Sequence, residues 1–549
     1  MKSVPHRYRS RYCIGNPAIA WLAGLCVLTV LSGTGWSATV YYVDIGRSGA
    51  SLNTGTNWAD AYTNLQSALA VAWTNDQVWV AAGTYYPTNG TDRNATFNMR
   101  QQVFLYGAFT NGGSMADRDW NANPTVLSGD IGLPGVNTDN CYHVVTATSN
   151  YETIDGFYVR DGYNTDNYGG GVYCKGGAPS NILNCTFINN SANYGGGLCV
   201  YEWTTWRVLV SNCLFVGNTA PASAGAMYVR GNSSPIITHC GFYNNGSRGA
   251  VQVRLEDAAG ICDINYCRFA GNQTDVGVNY FDASGIYIIR NSLFAGNKGG
   301  YGGGVSVTST ETTMWMDNCT LVGNYGTYGG GIYISRFAYG GIINITNTIL
   351  WDNVSYTNGR GNNMYVDSGG TGRVGYVCSQ GGLVWPAVSG PGSLYDQGGN
   401  ITGDPLFATN LYAGTWKTDA VYSSNTAQTV LTDTSATWPV NGLASCLVNP
   451  HTGDRTSGNN SLMFHIVANS ATSLTVWGNA AALGTTASSY AINDYHLAGS
   501  SSCINRGSDQ TWMTGAVDLD GHSRIDRFSG VVDMGCYEYL PQGMMFSVH

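Results

Sequence analysis

The chain has 549 residues, of which only 11% are charged; its net charge is −9, and it holds 74 Gly, 36 Tyr and 15 Trp. The acidic balance, with no run of Lys or Arg beyond the N-terminal stretch, excludes nucleic acid as a partner. Few charges and many aromatic rings suit an extracellular setting and uncharged partners such as glycans, although Tyr and Gly also suit β-coils and their corners.

The N-terminus reads as an export signal over residues 1–38. Lys2, Arg7, Arg9 and Arg11 precede an apolar stretch from Ala18 to Leu31, and Gly35 and Ser37 allow cleavage after Ser37. The stretch is short for a membrane span, an uncleaved anchor being the alternative. Leu25 before Cys26 is not the small neighbour a lipoprotein signal needs. No second long apolar segment follows, so no transmembrane segment is expected in the mature chain.

Tyr41 to Asp44 reads as a first strand. Leu65, Ala68, Leu69 and Ala72 follow helical spacing, and a helix here would cover the open end of a coil stack. Val78 to Ala81 and Gly83 to Tyr85 open the first coils. Val103 to Ala108, Val126-Leu127, His143 to Thr146 and Ile154 to Val159 continue them with looser spacing.

Between Phe187 and Asn353 one phrase recurs seven times: a large apolar residue, two spacers, then Asn. The pairs are Phe187/Asn190, Phe215/Asn218, Phe242/Asn245, Phe269/Asn272, Phe294/Asn297, Leu321/Asn324 and Leu350/Asn353, at steps of 28, 27, 27, 25, 27 and 29 residues. Such a period marks a repeat architecture in which each unit buries its apolar face against the next. Two residues before the apolar position stand Cys185, Cys213, Cys240, Cys267, Ser292, Cys319 and Thr348. Five before stand Ile182, Val210, Ile237, Ile264, Ile289, Met316 and Ile345. The parity breaks between these two offsets, so the backbone turns a corner there. The Asn that often stands three before (Asn184, Asn212, Asn291, Asn318, Asn347) tolerates that turn. A second strand opens on Gly-rich steps such as Gly-Gly-Gly-Val305 and Gly-Gly-Gly-Ile332, where Gly supplies corner angles. No repeat has a helical period. The reading is an all-β, parallel β-helix solenoid with apolar ladders in the bore and Asn ladders at the corners.

Fifteen Cys in an exported chain would ordinarily suggest disulfides. Five of them share one inward offset in stacked coils, and stacked β-carbons about 4.8 Å apart are too far for a bridge, so a ladder of buried thiols is expected. Cys503 and Cys536 lie outside the ladder and are the better candidates for a bridge. From about 354 the repeat degrades. Residues 39–407 read as the β-helix with its cap, 408–493 as a small β-rich insertion, 494–540 as a C-terminal module and 541–549 as a tail.

With these residues in view, the chain resembles secreted bacterial right-handed β-helix proteins of the pectin-lyase-like superfamily. Its Gly-Gly-apolar and Phe-x-x-Asn repeats are similar to those of the polymorphic outer-membrane proteins of chlamydiae, without their β-barrel. Its N-terminal Tyr41-Tyr42-Val43-Asp44 and the terminal segments from Asp494 to Leu497, Asp518 to Arg524 and Val532 to Tyr539 resemble the ends of choice-of-anchor Q proteins.

The superfamily contains polysaccharide lyases and hydrolases. Asn137-Thr138-Asp139 and Asn164-Thr165-Asp166 match one hydrolase motif, but Asp-Asp, Gly-His-Gly and Arg-x-Lys motifs are missing, and turn chemistry accounts for the matches. Outward parity gathers Asp263, Arg268, Arg290, Trp315 and Asp317 on neighbouring coils. As a sugar site, Trp315 would stack on a pyranose, the Arg would bind or deprotonate, and an Asp would protonate or hold Ca²⁺; the alternative is surface ion pairing. Asp518 and Asp520 suggest calcium or, in the favoured reading, a turn, so no cofactor is assigned. The expectation is an exported, monomeric cell-surface or secreted protein that binds an extracellular glycan or a cell-envelope component, leaning away from catalysis. The alternative is a polysaccharide lyase or glycoside hydrolase.

Overall fold

The computed structural model describes residues 38–540 apart from 49–51, 149–150, 177–180, 203–206, 233, 258, 275–278, 284, 309–311, 336–340, 358–359, 454–461 and 526–528. All of the export segment 1–38 except Ala38, and the tail 541–549, lie outside the described residues.

The coils stack as three parallel sheets. The first has 13 strands, from Val40–Val43 to Ser393–Gly398; the second has 11, from Gly83–Tyr85 to Cys378–Ser379; the third has 11, from Phe97–Met99 to Val388–Ser389. This is the right-handed parallel β-helix expected from the period. Equivalent residues pair in register: Phe187 with Phe215, Phe215 with Phe242, Phe242 with Phe269 and Phe269 with Phe294. Their rings stack inside the bore with centroids 4.6, 5.0, 4.7 and 4.6 Å apart and planes within 6°. Stacking follows from strand spacing, because one residue type at one offset places identical side chains about 4.8 Å apart.

The corner between the first and second sheets falls where the parity breaks. Asn184, Asn212, Asn291, Asn318 and Asn347 have φ between 47° and 53°, and His239 and Tyr266 are forced to 54° at the same step. The Asn three residues after each Phe or Leu is buried, and from Asn190 to Asn324 its side chain hydrogen-bonds to the Asn of the next coil, while Asn353 donates to Asn363 Oδ1 at 3.1 Å. At the Gly corner a side chain has no room: a Cβ on Gly329 (φ 62°) would sit 1.9 Å from Ile332 O.

The thiols form the expected ladder. Cys185, Cys213, Cys240, Cys267 and Cys319 are buried and unbridged, each Sγ donating to the carbonyl two residues earlier at 3.1–3.4 Å. The expected bridge at Cys503 or Cys536 is not formed. Cys536 packs in a cluster over the second sheet, its backbone N–H on Thr320 Oγ1 at 3.1 Å, whereas Cys503 packs in another cluster with Cys378.

The N-terminal end is covered by helix α1 (Leu65–Val71). Asn64 caps it, accepting from Gln66 N at 2.7 Å, and Leu65, Ala68 and Leu69 join the bore cluster. Residues 407–497 build a seven-stranded antiparallel sheet with its own core around Trp416, Trp438, Phe464 and Tyr490. Together with the terminal segment it lies on the outer face of the second sheet, where Met463, Tyr495 and Tyr537 meet Ile188, Val216, Tyr243 and Ala270. The terminal motifs close on one another. Arg524, fully buried, pairs with Glu538 at 3.0 Å, and Asp533 accepts from Asn505 N and Tyr539 N. This module is pinned to the Asn corner by Asn318 Nδ2 on Asp533 O (3.1 Å) and Asn347 Nδ2 on Ser508 O (2.9 Å).

Candidate functional site

The outer face of the first sheet stays open over its middle coils. There Trp315 is 45% exposed on strand Thr312–Asp317. Its register partner on the preceding rung is Ile288, whose own partner on the rung before is Asp263. The next outward row runs Asn265, Arg290, Asp317. Asp263, Arg290 and Asp317 therefore occupy three consecutive rungs, spanning about 10 Å.

Asp317 is 2% exposed, and its Oδ2 lies 3.4 Å from Arg290 Nε. Its Oδ1 makes no hydrogen bond of good geometry, and neither do the side-chain atoms of buried Asn291 or, on the far side of Arg290, Asn265 Oδ1. Burial raises the Asp317 carboxyl to about 6, with Arg290 and Thr346 pulling the other way. Asp263 is half-buried and accepts from Asn265 Nδ2; burial raises it too, and Arg290 opposes. Trp512, on the short turn Thr511–Met513 of the terminal module, stacks under the Arg290 guanidinium 4.5 Å away. Two indoles thus flank a buried acid and its guanidinium. Trp512 carried no sequence signal, because it approaches from more than 200 residues away in the chain.

Arg268 is not part of this group. The corner at offset minus three separates its row from the others, so it projects from the second sheet, beneath the insertion. There its Nη2 meets Asp520 at 2.7 Å, Asp520 Oδ2 lies 2.7 Å from His496 Nε2, and His496 Nδ1 faces Asp494. The His496 ring also packs on Tyr537, with centroids 4.0 Å apart. Both carboxylates are held below the ordinary range by His496, and the imidazole is raised to about 9 by Asp494 and Asp520 against the opposing effect of burial. A ring with both nitrogens engaged is a bridging cation, not a free base. It joins the β-helix, the antiparallel sheet and the terminal module.

Asp518, read as a turn residue with calcium as the alternative, accepts the backbone N–H groups of Asp520, His522 and Glu538 at 3.0, 2.8 and 2.8 Å. Among the described residues no three His, Cys, Asp or Glu side chains are grouped to hold a metal ion. Asn137–Asp139 is a short 3-10 turn, and Asn164-Thr165-Asp166 lies on the strand Tyr163–Tyr168 with Thr165 and Asp166 exposed. No helix among the described residues is long and apolar enough to cross a membrane.

A family model described as the right handed beta helix region matches residues 135–369. No curated protein matches the chain. Among solved structures, the chain is similar to one titled pectate lyase Pel9A (14% identity, 92% of this chain and 98% of that chain, TM-score 0.46). It is also similar to a rhamnogalacturonan lyase (14%, 58% and 84%, 0.34) and to the tailspike protein of E. coli bacteriophage HK620 in complex with pentasaccharide (12%, 79% and 89%, 0.22). The expectation that leaned away from catalysis is corrected: the similar structures include two titled as lyases. The chain folds as a right-handed parallel β-helix, and residues 135–369 carry the match to the model of that region.

Proposed function

We propose that this protein cleaves an extracellular polysaccharide on the open face of its first sheet, with Asp317 as the acid. The observation that carries this reading is a buried carboxyl, raised to about 6, beside Arg290 and within one strand of an exposed Trp315. A carboxyl in that state can protonate a glycosidic oxygen near neutral pH, which an ordinary exposed Asp cannot do efficiently. Trp315 offers a ring for a sugar face. Asp263, two rungs away, is the second carboxylate that hydrolysis requires to direct water. Hydrolysis fits better than elimination, because Arg290 is engaged with both Asp317 and Trp512 and is poorly placed to act as a base.

Export and an extracellular glycan partner are part of the proposal. They rest on the N-terminal segment and on the resemblance of the repeats and chain ends to chlamydial outer-membrane proteins and choice-of-anchor Q proteins. The test is incubation with a panel of neutral and uronate polysaccharides, following new reducing ends and the ultraviolet absorbance of unsaturated products. New reducing ends without that absorbance, lost in Asp317→Asn, are expected. Unsaturated products would replace hydrolysis by elimination, and no turnover on any member of a broad panel would overturn the assignment.

A further inference from the structure

The outward row of the second sheet just before each Phe or Leu runs Arg268, Leu293, Thr320, Ile349, Cys378. Cys378 therefore does not belong to the inward thiol ladder. It closes a row that faces the terminal module, where Thr320 already receives Cys536 N and Ile349 packs on Met534. Cys378 and Cys503 share one buried cluster with Ile349, Leu497 and Met534, and both are completely buried. Two backbone constraints hold them together. Cys378 Sγ donates to Gly403 O at 3.1 Å, and a Cβ on Gly403 would touch Ser502 Cβ at 2.9 Å, so the residue preceding Cys503 is packed on the loop that Cys378 contacts. Cys503 is fixed on the other side by Met534 N on its carbonyl at 3.1 Å. The Cys503 thiol and burial raise the Cys378 thiol far above its ordinary range.

We infer that Cys378 and Cys503 are an oxidation site, a latent disulfide that staples the terminal module to the last coils of the β-helix. The ladder thiols differ: their β-carbons are parallel and held at the rung spacing of about 4.8 Å, outside bridging distance. Cys378 and Cys503 come from elements that face each other, the arrangement a bridge needs. In the reaction both thiols lose their protons and two electrons, a sulfur–sulfur bond forms, and a disulfide oxidant such as oxidised glutathione is reduced to two thiols. The bond would close a loop of more than 100 residues, the case in which a crosslink constrains the unfolded chain most. It would also fix the module that carries Trp512.

The test is refolding of the full chain in an oxidised glutathione buffer, alkylation of remaining thiols in denaturant, and non-reducing peptide mapping by mass spectrometry. The expected product is one crosslinked peptide pair joining Cys378 to Cys503, lighter by two hydrogen atoms, with Cys185, Cys213, Cys240, Cys267 and Cys319 alkylated. A second measurement is thermal unfolding of the oxidised protein with and without reductant. Reductant should lower the melting temperature of the wild type by several degrees and leave Cys378→Ala/Cys503→Ala unchanged. Recovery of both cysteines as alkylated thiols, or Cys503 joined to a different cysteine, overturns the inference.

Discussion

The side-chain amide of Asn218 donates to Asn245 Oδ1 at 3.0 Å, and Asn245 repeats the bond to Asn272 Oδ1 at 3.1 Å. Asn245 also donates to Phe215 O and accepts Asn218 N, so one buried side chain serves two neighbouring coils. Asn245→Ala leaves the Asn218 backbone N–H without its partner and removes one bond each from Asn218 Nδ2 and Phe215 O in a dry site. The expected loss is about 2–3 kcal/mol, read from urea unfolding. Asn245→Asp should not rescue it, since a carboxylate has no N–H to give.

The Phe242 ring sits between Phe215 and Phe269 at centroid distances of 5.0 and 4.7 Å. Phe242→Ala opens a cavity in the bore and should cost about 3–5 kcal/mol. Leu321 and Leu350 occupy the same row in later coils. Phe242→Leu should therefore cost distinctly less, and near-equal losses in the two variants by chemical denaturation would contradict a stacked row.

Asp317→Asn is expected to lower turnover by about 10²–10⁴-fold on any polysaccharide the wild type cleaves, with the far-ultraviolet circular dichroism unchanged. The sign for stability is the opposite of an ordinary surface carboxylate. Folding raises this pKa from 3.8 to about 6, so the contribution of the protonated acid is complete below 3.8 and is lost as pH rises through about 6. The neutral Asn variant should then unfold no earlier than wild type at pH 8. Wild-type turnover should fall on the alkaline side of about 6.

Trp315 is half-exposed and stacks on no aromatic ring among the described residues, so Trp315→Ala should leave the melting temperature within a degree or two of wild type. If sugars stack there, KM should rise several-fold while kcat changes less. A large loss of stability would mean that the indole belongs to the packing of the face.

The His496 clasp gives a pH signature of its own. The imidazole pKa is raised from 6.5 to about 9, so its stabilisation is complete below 6.5 and lost as pH rises through about 9. Asp494 and Asp520 are held below 3.8, so theirs is present above 3.8 and lost on further acidification. Thermal unfolding should show the clasp at full strength between these limits. His496→Gln should flatten the decline between pH 6 and pH 9.5 without changing the coil stack.

The coil was legible because its rule is local. Phe at one offset, Asn three residues later and Cys two before repeat at strand spacing, and Cys240 can only stack on Cys213 and Cys267 once that period exists. The cap was legible for the same reason, since Leu65, Ala68 and Leu69 fall on one helical face. Asp263, Arg290, Trp315 and Asp317 could be placed on one face by parity within a strand. Arg268 could not, because a single corner residue moves the next offset onto a different sheet.

What only the tertiary structure decided lies between elements distant in the chain. The amino-acid order determined the solenoid, its bore and its corners, because each depends on neighbours within one coil or the next. It did not determine that Trp512 would sit under Arg290, that His496 would join Asp494 to Asp520, or that Cys503 would meet Cys378. Those contacts depend on how the antiparallel sheet and the terminal module dock on the outer wall. That docking is set by apolar surface and shape, which have no sequence period to read.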